Sequence, residues 1–171
     1  MSYPIARVVE LALRWHVALS MFAYGIAKTV QFDATAENDA PVNSLSGQQL
    51  MWAFYGYSLT YAKFLGAVEM GGALLLLFRR TTLLGCLVLS TVLVNILFQD
   101  IVFGVNAGAL RAAVIYQSFT LVIVGLNHRQ VASIWRSFTE RSRVPKASVW
   151  IGLAAGGVLA LTLAAEHWAT H

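Results

Sequence analysis

Five apolar stretches, each near twenty residues long, set the limits on what this chain can become. They run roughly from Ile5 to Val30, Ser58 to Phe78, Thr82 to Phe103, Ala109 to Leu126 and Ser148 to Glu166. A bilayer core of ~30 Å is crossed by about 20 largely apolar residues in helix. No stretch alternates apolar and polar residues over ~10 positions, as an outer-membrane barrel strand does. Backbone groups in lipid must be satisfied within the segment, so helices follow. The expected fold is an all-α integral membrane bundle. Composition agrees. Apolar residues make up 58% of the 171 and charged residues 12%, against ~45–50% and ~25% in soluble domains. The mean hydropathy is +0.65. These values exclude a disordered chain.

The first stretch is the most polar, carrying Arg7, Glu10, Arg14 and His16. Those residues, with no clean small-residue cleavage site after them, argue against a signal peptide and for a retained first helix. Lys/Arg asymmetry then orients the chain. With five spans, Arg7, Arg14, Arg79, Arg80, Arg129, Arg136, Arg141, Arg143 and Lys146 fall on one side, nine of the 12 basic residues. Lys28, Lys63 and Arg111 fall on the other. The expectation is a cytoplasmic N-terminus and a C-terminus outside. Residues 1–126 form the four-helix core, with an acidic outer loop over 31–48. Residues 127–147 form a basic cytoplasmic connection, and 148–171 the fifth transmembrane helix and tail.

Charges inside a bilayer cost at least ~2.5–3.5 kcal/mol at its centre, so each needs a partner or a function. Glu69 stands eleven residues past Ser58, about 16 Å along a helix and near the midplane. Lys63 lies about 8 Å down the same helix. Asn95, Gln99 and Asp100 fall in the outer half of the third span. Lys28 ends the first span and Arg111 begins the fourth. Tyr24, Tyr61 and Tyr116 lie in the same layers. One reading is a set of ion pairs, such as Asp100 with Lys28 or Arg111, with the basic residues snorkelling to the interface. The other is a polar head-group pocket or proton-coupled site. Glu69 is too short and too deep to snorkel. It must be protonated, paired or exposed to a water-filled cavity.

Ser46-x-x-Gln49 has the form of a capping box. The run Gln49–Tyr61 behind it carries Trp52, Phe54, Tyr55, Tyr57 and Tyr61. It reads as an interfacial helix or an extension of the second span, bent near Gly56. Its aromatics form either a belt at the headgroups or a lid over a pocket. Gly71, Gly72 and Ala73 permit close helix packing. In Asn127–Lys146, Val131, Ile134, Trp135 and Phe138 recur at helical spacing opposite basic residues. That pattern fits a surface-lying helix on acidic lipid rather than nucleic-acid binding. A single cysteine, Cys86, excludes an intrachain disulfide or dithiol. His16 has no facing histidine, so no haem or metal is expected; it reads as paired with Arg14 or Glu10. No P-loop, GxSxG, HExxH or GxGxxG is present.

Several of these residues form a pattern. Arg14 precedes Tyr24-Gly25-x-x-Lys28 at the end of the first span. The second span reads Phe64-Leu65-Gly66-x-x-Glu69-x-Gly71-Gly72-Ala73-Leu74-Leu75-Leu76-Leu77-Phe78-Arg79-Arg80-Thr81, and Asn95 follows in the third. Over roughly residues 7–126 the chain resembles the DoxX-like small membrane proteins. The fifth span and the acidic loop depart from that family's minimal four-helix pattern. The resemblance implies a four-helix core related to bacterial cytoplasmic-membrane subunits of quinone-linked sulfur oxidation and thiol or oxidative-stress redox pathways.

The expected function is therefore a quinone-linked oxidoreductase subunit that binds a quinone or similar amphiphile in the outer half of the bundle. Glu69 serves as proton acceptor, with Lys63 as the second catalytic group. Lys28, Lys63 and Arg111 stabilise reduced oxygen by charge. Tyr57, Tyr61 and Trp52 wall the mouth, and Tyr24, Asn95 and Asp100 complete the ligand shell. Electrons come from a redox partner protein. Membrane lipid and a second copy of the chain are the other expected partners. The alternative is a non-enzymatic scaffold or assembly partner of another membrane protein.

Overall fold

The computed structural model describes residues 3–32, 40–140 and 149–170. Among them are seven α-helices and no strand: α1 (Tyr3–Ala27), α2 (Gly47–Tyr57), α3 (Leu59–Leu77), α4 (Thr82–Val102), α5 (Ala107–Leu126), α6 (His128–Thr139) and α7 (Val149–Thr170). Four helices are long and apolar enough to cross a membrane: Leu59–Leu77, Thr82–Val102, Ala107–Leu126 and Val149–Ala169. The chain is thus an all-helical, multi-pass membrane protein. The acidic loop residues Asp33, Glu37 and Asp39 lie outside the described residues, as do Arg141, Arg143 and Lys146.

Residues Met1–Val131 form one compact unit. Within it α1 packs on α3 and α5, α3 on α4, and α4 on α5, which closes a ring of four helices. Their shared core holds Val17, Met21, Leu76, Leu89, Leu93 and Ile123. α1 is long enough to span at about 37 Å, but Arg7, Glu10 and Arg14 keep it out of the apolar class. Its two faces differ. Ile5, Val8, Leu11, Trp15, Leu19 and Ile26 are exposed, at helical spacing, while Arg14, Val17, Ala18 and Met21 are buried.

Glycines set the closest approaches. A Cβ built on Gly66 would stand 2.5 Å from the carbonyl oxygen of Gly25, and one on Gly25 2.7 Å from that of Gly66. The main chains of α1 and α3 touch there. Gly85 does the same for α4, since its Cβ would stand 2.9 Å from the carbonyl oxygen of Gly72. Gly71, next to Gly72, meets nothing within 4 Å.

The capping box is present. Ser46 Oγ accepts from the Gln49 amide at 3.3 Å, and Gln49 Oε1 accepts from the Ser46 amide at 2.9 Å. It starts α2 as a separate helix. The break falls at Ser58 rather than near Gly56: Ser58 has extended backbone and its Oγ accepts from the Tyr61 amide, capping α3. α2 packs on α3, over a second apolar cluster of Phe32, Met51, Tyr55, Ala62 and Val105. Gly104, in the left-handed region at φ 63, turns the chain from α4 to α5, and Asn106 caps α5 through the amides of Gly108 and Ala109.

Residues Ala132–His171 form a second compact unit. It contains most of α6 and the whole of α7. On α6, Val131, Ile134, Trp135 and Phe138 are exposed together with Arg129 and Arg136. The last turn of α6 carries Arg136, which suits a helix C-terminus.

Candidate functional site

A cavity of about 260 Å³ lies within the first unit, lined from α1, α2, α3, α4 and α5. Glu69 is fully buried on its α3 wall. Lys28, one residue past the end of α1, places its Nζ 3.0 Å from Glu69 Oε1. The Gly25–Gly66 contact makes this reach possible. A Cβ on Gly66 would stand 3.4 Å from Lys28 Cβ, so the lysine stem starts on the α3 surface one turn from Glu69. Oε2 of Glu69 has no hydrogen-bond partner.

Asp100, from the last turn of α4, is 5% exposed and also lines the cavity. Its Oδ2 is buried and unpartnered. The ion pair weighed for it with Arg111 does not form: Arg111 is exposed and its Nε donates to Ala107 in its own helix at 2.9 Å. Lys28 pairs with Glu69 instead.

α2 supplies the aromatic wall. Tyr55 stacks on Phe32 with centroids 4.9 Å apart, and Trp52 meets Phe32 edge-on at 5.5 Å. The Tyr55 hydroxyl donates to Gln99 Oε1 at 2.8 Å. Burial pushes the Tyr55 phenol above its ordinary range, and the bond to Gln99 opposes that only in part, so it stays a neutral donor. Tyr24 and Tyr116 meet edge-on at 5.9 Å on the other side. The aromatics of α2 divide between two faces. Met51, Trp52 and Tyr55 line the cavity, while Phe54 and Tyr57 are exposed.

Of the residues expected from sequence, the cavity gathers Glu69, Lys28, Tyr24, Tyr61, Trp52, Asn95 and Asp100. Lys63 is exposed on α3, Tyr57 is 92% exposed, and Arg111 faces away; none of the three lines it. Sequence reasoning missed Gln31, Phe32 and Tyr55 as lining residues. Tyr55 was visible as part of the aromatic run, but its phase on α2 depends on where the helix breaks. The rim is polar: Thr91 and Asn95, near the middle of α4, are exposed and line the cavity. Among the described residues, no group of three His, Cys, Asp or Glu side chains is placed to hold a metal ion.

A second polar cluster lies further along α3. Arg14 Nε donates to the Leu76 carbonyl at 2.8 Å and Nη2 to that of Leu77 at 2.6 Å. Thr81 Oγ1 donates to Leu75 at 2.7 Å, and Thr82 Oγ1 to Phe78 at 3.1 Å. The carbonyls that a helix end leaves open are thereby satisfied, and the guanidinium sits at the negative end of the helix dipole. Arg14 also stands 3.7 Å from Glu10, whose Oε1 accepts from Asn127 Nδ2 at 3.2 Å. His16 joins neither cluster by a polar contact. Its ring packs edge-on against Phe119 at 5.4 Å. Cys86 is buried in the apolar core.

No family model matches the sequence, and no solved structure matches it. The chain is 30% identical over 142 residues to "Uncharacterized protein YwoB" of Bacillus subtilis (strain 168), across 81% of this chain and 90% of that protein. At that identity and coverage, this multi-pass helical protein belongs to the same family as YwoB.

Proposed function

We propose that the cavity receives the head group of a quinone or similar amphiphile, and that the chain is a DoxX-like subunit of a quinone-linked oxidoreductase. The observation that carries this is the cavity's combination of floor and rim. The floor is a buried Lys28–Glu69 pair with one carboxylate oxygen unmet. The rim includes Thr91 and Asn95, exposed near the midpoint of a helix long enough to span a bilayer. A polar opening at that depth faces lipid rather than water. It suits a ligand that arrives through the membrane with a polar head and an apolar tail.

Size fits the same reading. About 260 Å³ is at the small end for ligand sites, which usually run ~300–1,000 Å³. It accommodates a ring-sized head group and leaves the tail outside. A quinone head group carries electrons and protons between its carbonyl and hydroxyl forms. In this chain Glu69 Oε2 holds or accepts a proton, and the Lys28 ammonium steadies negative charge beside it. Tyr24, Trp52, Tyr55 and Tyr61 flank the ring. Lys63 and Arg111 take no part. With one cysteine and no dithiol, the electrons come from a partner protein. α1 acts as a fifth span, its apolar face to lipid and Arg14 inward. The N-terminus is cytoplasmic, in the bacterial inner membrane.

The test is purification in native lipid, organic extraction and mass spectrometry of bound small molecules, with Glu69→Gln as control. A quinone enriched over bulk lipid in wild type and depleted in the variant is expected. An absence of any enriched molecule in both, with a stoichiometric protein partner instead, overturns the reading in favour of a scaffold.

A further inference from the structure

Two amide side chains of α4 line the cavity, Asn95 and Gln99, about one helical turn apart. They differ in how firmly they are held. Gln99 is half-buried, and its Oε1 accepts from the Tyr55 hydroxyl at 2.8 Å. Tyr55 is itself buried and stacked on Phe32. Asn95 is exposed, and among the described residues its side chain makes no hydrogen bond. A side-chain amide carries an acceptor oxygen on one arm and N–H donors on the other. With Oε1 engaged by Tyr55, the arm Gln99 keeps is Nε2, and nothing among the described residues accepts from it. The reversed amide would strand the Tyr55 hydrogen, because the hydroxyl has no other acceptor among those residues.

We infer that Gln99 donates a hydrogen bond from Nε2 to a carbonyl oxygen of the bound head group, and that Tyr55 is the positioning residue that aims it. This rests on the quinone reading above and adds how the ring oxygen is recognised. A quinone carbonyl is an acceptor, so it can use Nε2 without displacing the bond from Tyr55. A donor oriented in advance binds at less cost than one that must be ordered on arrival, which separates Gln99 from Asn95. The carbonyl oxygen gains negative charge as the ring is reduced, and the same N–H then holds it more strongly. Tyr55 thus has two duties, flanking the ring and holding the amide. The second passes entirely through Gln99, which makes it separable by experiment.

The experiment is equilibrium binding of a short-chain benzoquinone, isotope-labelled at its carbonyls, with the carbonyl infrared band of the bound ring read alongside. The full chain is held in nanodiscs of neutral phospholipid. Gln99→Met keeps an unbranched side chain and removes the donor. It should weaken binding about tenfold and move the carbonyl band back toward its position in lipid alone. Tyr55→Phe keeps the ring and frees the amide. It should weaken binding about fivefold in the wild-type chain, and by less than about 1.5-fold in the Gln99→Met chain, where there is no amide left to aim. Asn95→Leu should weaken binding by less than about twofold. Should Gln99→Met fail to fold, Gln99→Leu takes its place, and the band in Tyr55→Phe against wild type still reads the amide. Unchanged affinity and an unmoved band in Gln99→Met overturn this inference and leave the quinone reading standing. An equal loss from Tyr55→Phe in both chains overturns the positioning role of Tyr55. Binding to wild type no greater than to empty nanodiscs overturns this inference and the quinone reading together.

Discussion

Two polar clusters lie along α3, about 10 Å apart by helix rise, and they differ in how completely they are satisfied. Around Arg14, every group has an answer. The carbonyls of Leu75, Leu76, Leu77 and Phe78 accept from Thr81, Arg14 and Thr82, and Glu10 is held by Arg14 and Asn127. Around Lys28 and Glu69 the bonding is incomplete, and a cavity opens where the missing donors should be. Buried polar groups are paired as a rule, and those left unpaired call for an explanation. The difference separates a cluster that holds helices from one that awaits something else.

The sharpest way to break that contrast is to remove its structural half. Arg14→Leu strips the end of α3 of two hydrogen bonds and leaves Glu10 without its cation. Losing two charge-assisted hydrogen bonds costs about 3–6 kcal/mol. Reversible unfolding in detergent, followed by helicity, should register the loss. Next comes Gly66→Val, which drives a side chain into the Gly25 carbonyl. It should cost about 1–3 kcal/mol or more and also abolish ligand retention, because Lys28 follows directly on α1.

Smaller effects refine the other half. Tyr55→Phe removes the bond to Gln99 and should cost about 0.5–1.5 kcal/mol, read by the same unfolding curve. Glu69→Gln keeps an amide oxygen that can still accept from the Lys28 ammonium, so one charged hydrogen bond becomes a weaker one. Stability should fall by about 0.5–1.5 kcal/mol, while the bound small molecule is lost. A fall as large as that of Arg14→Leu would place both clusters in one class and end the contrast. Last, Lys63→Ala and Arg111→Ala should each change stability by less than about 0.5 kcal/mol, with ligand content in the extract unaltered.

Much of this is legible in the sequence. Span lengths point to α3, α4, α5 and α7, helical spacing of apolar residues to α6, and the Ser46–Gln49 pair to α2. Glu69 stood out because a carboxyl at that depth needs a reason. Lys28 was visible as a neighbour, but its pairing with Glu69 rather than Asp100 was not. That choice depends on helix rotation, which the Gly25–Gly66 contact sets, and two lone glycines 41 positions apart carry no local signal. Arg14 counted as one more positive charge near an end, whereas it is buried and caps a different helix. Tyr57 and Tyr55 exchanged roles for a similar reason. The break at Ser58 lets α2 turn independently of α3, so the facing of its aromatics cannot be extrapolated from the span below.

The contact between Gly25 and Gly66 also bears on how such a site can change over generations. At that seam two main chains already touch, and neither residue has a side chain left to shorten. A mutation there can only push α1 and α3 apart, which costs the fold. The α2 wall is different: Met51, Trp52 and Tyr55 are all side chains. Side-chain changes on α2 can therefore reshape the cavity without moving the α1–α3 seam, as can changes at Asn95 and Gln99 on α4.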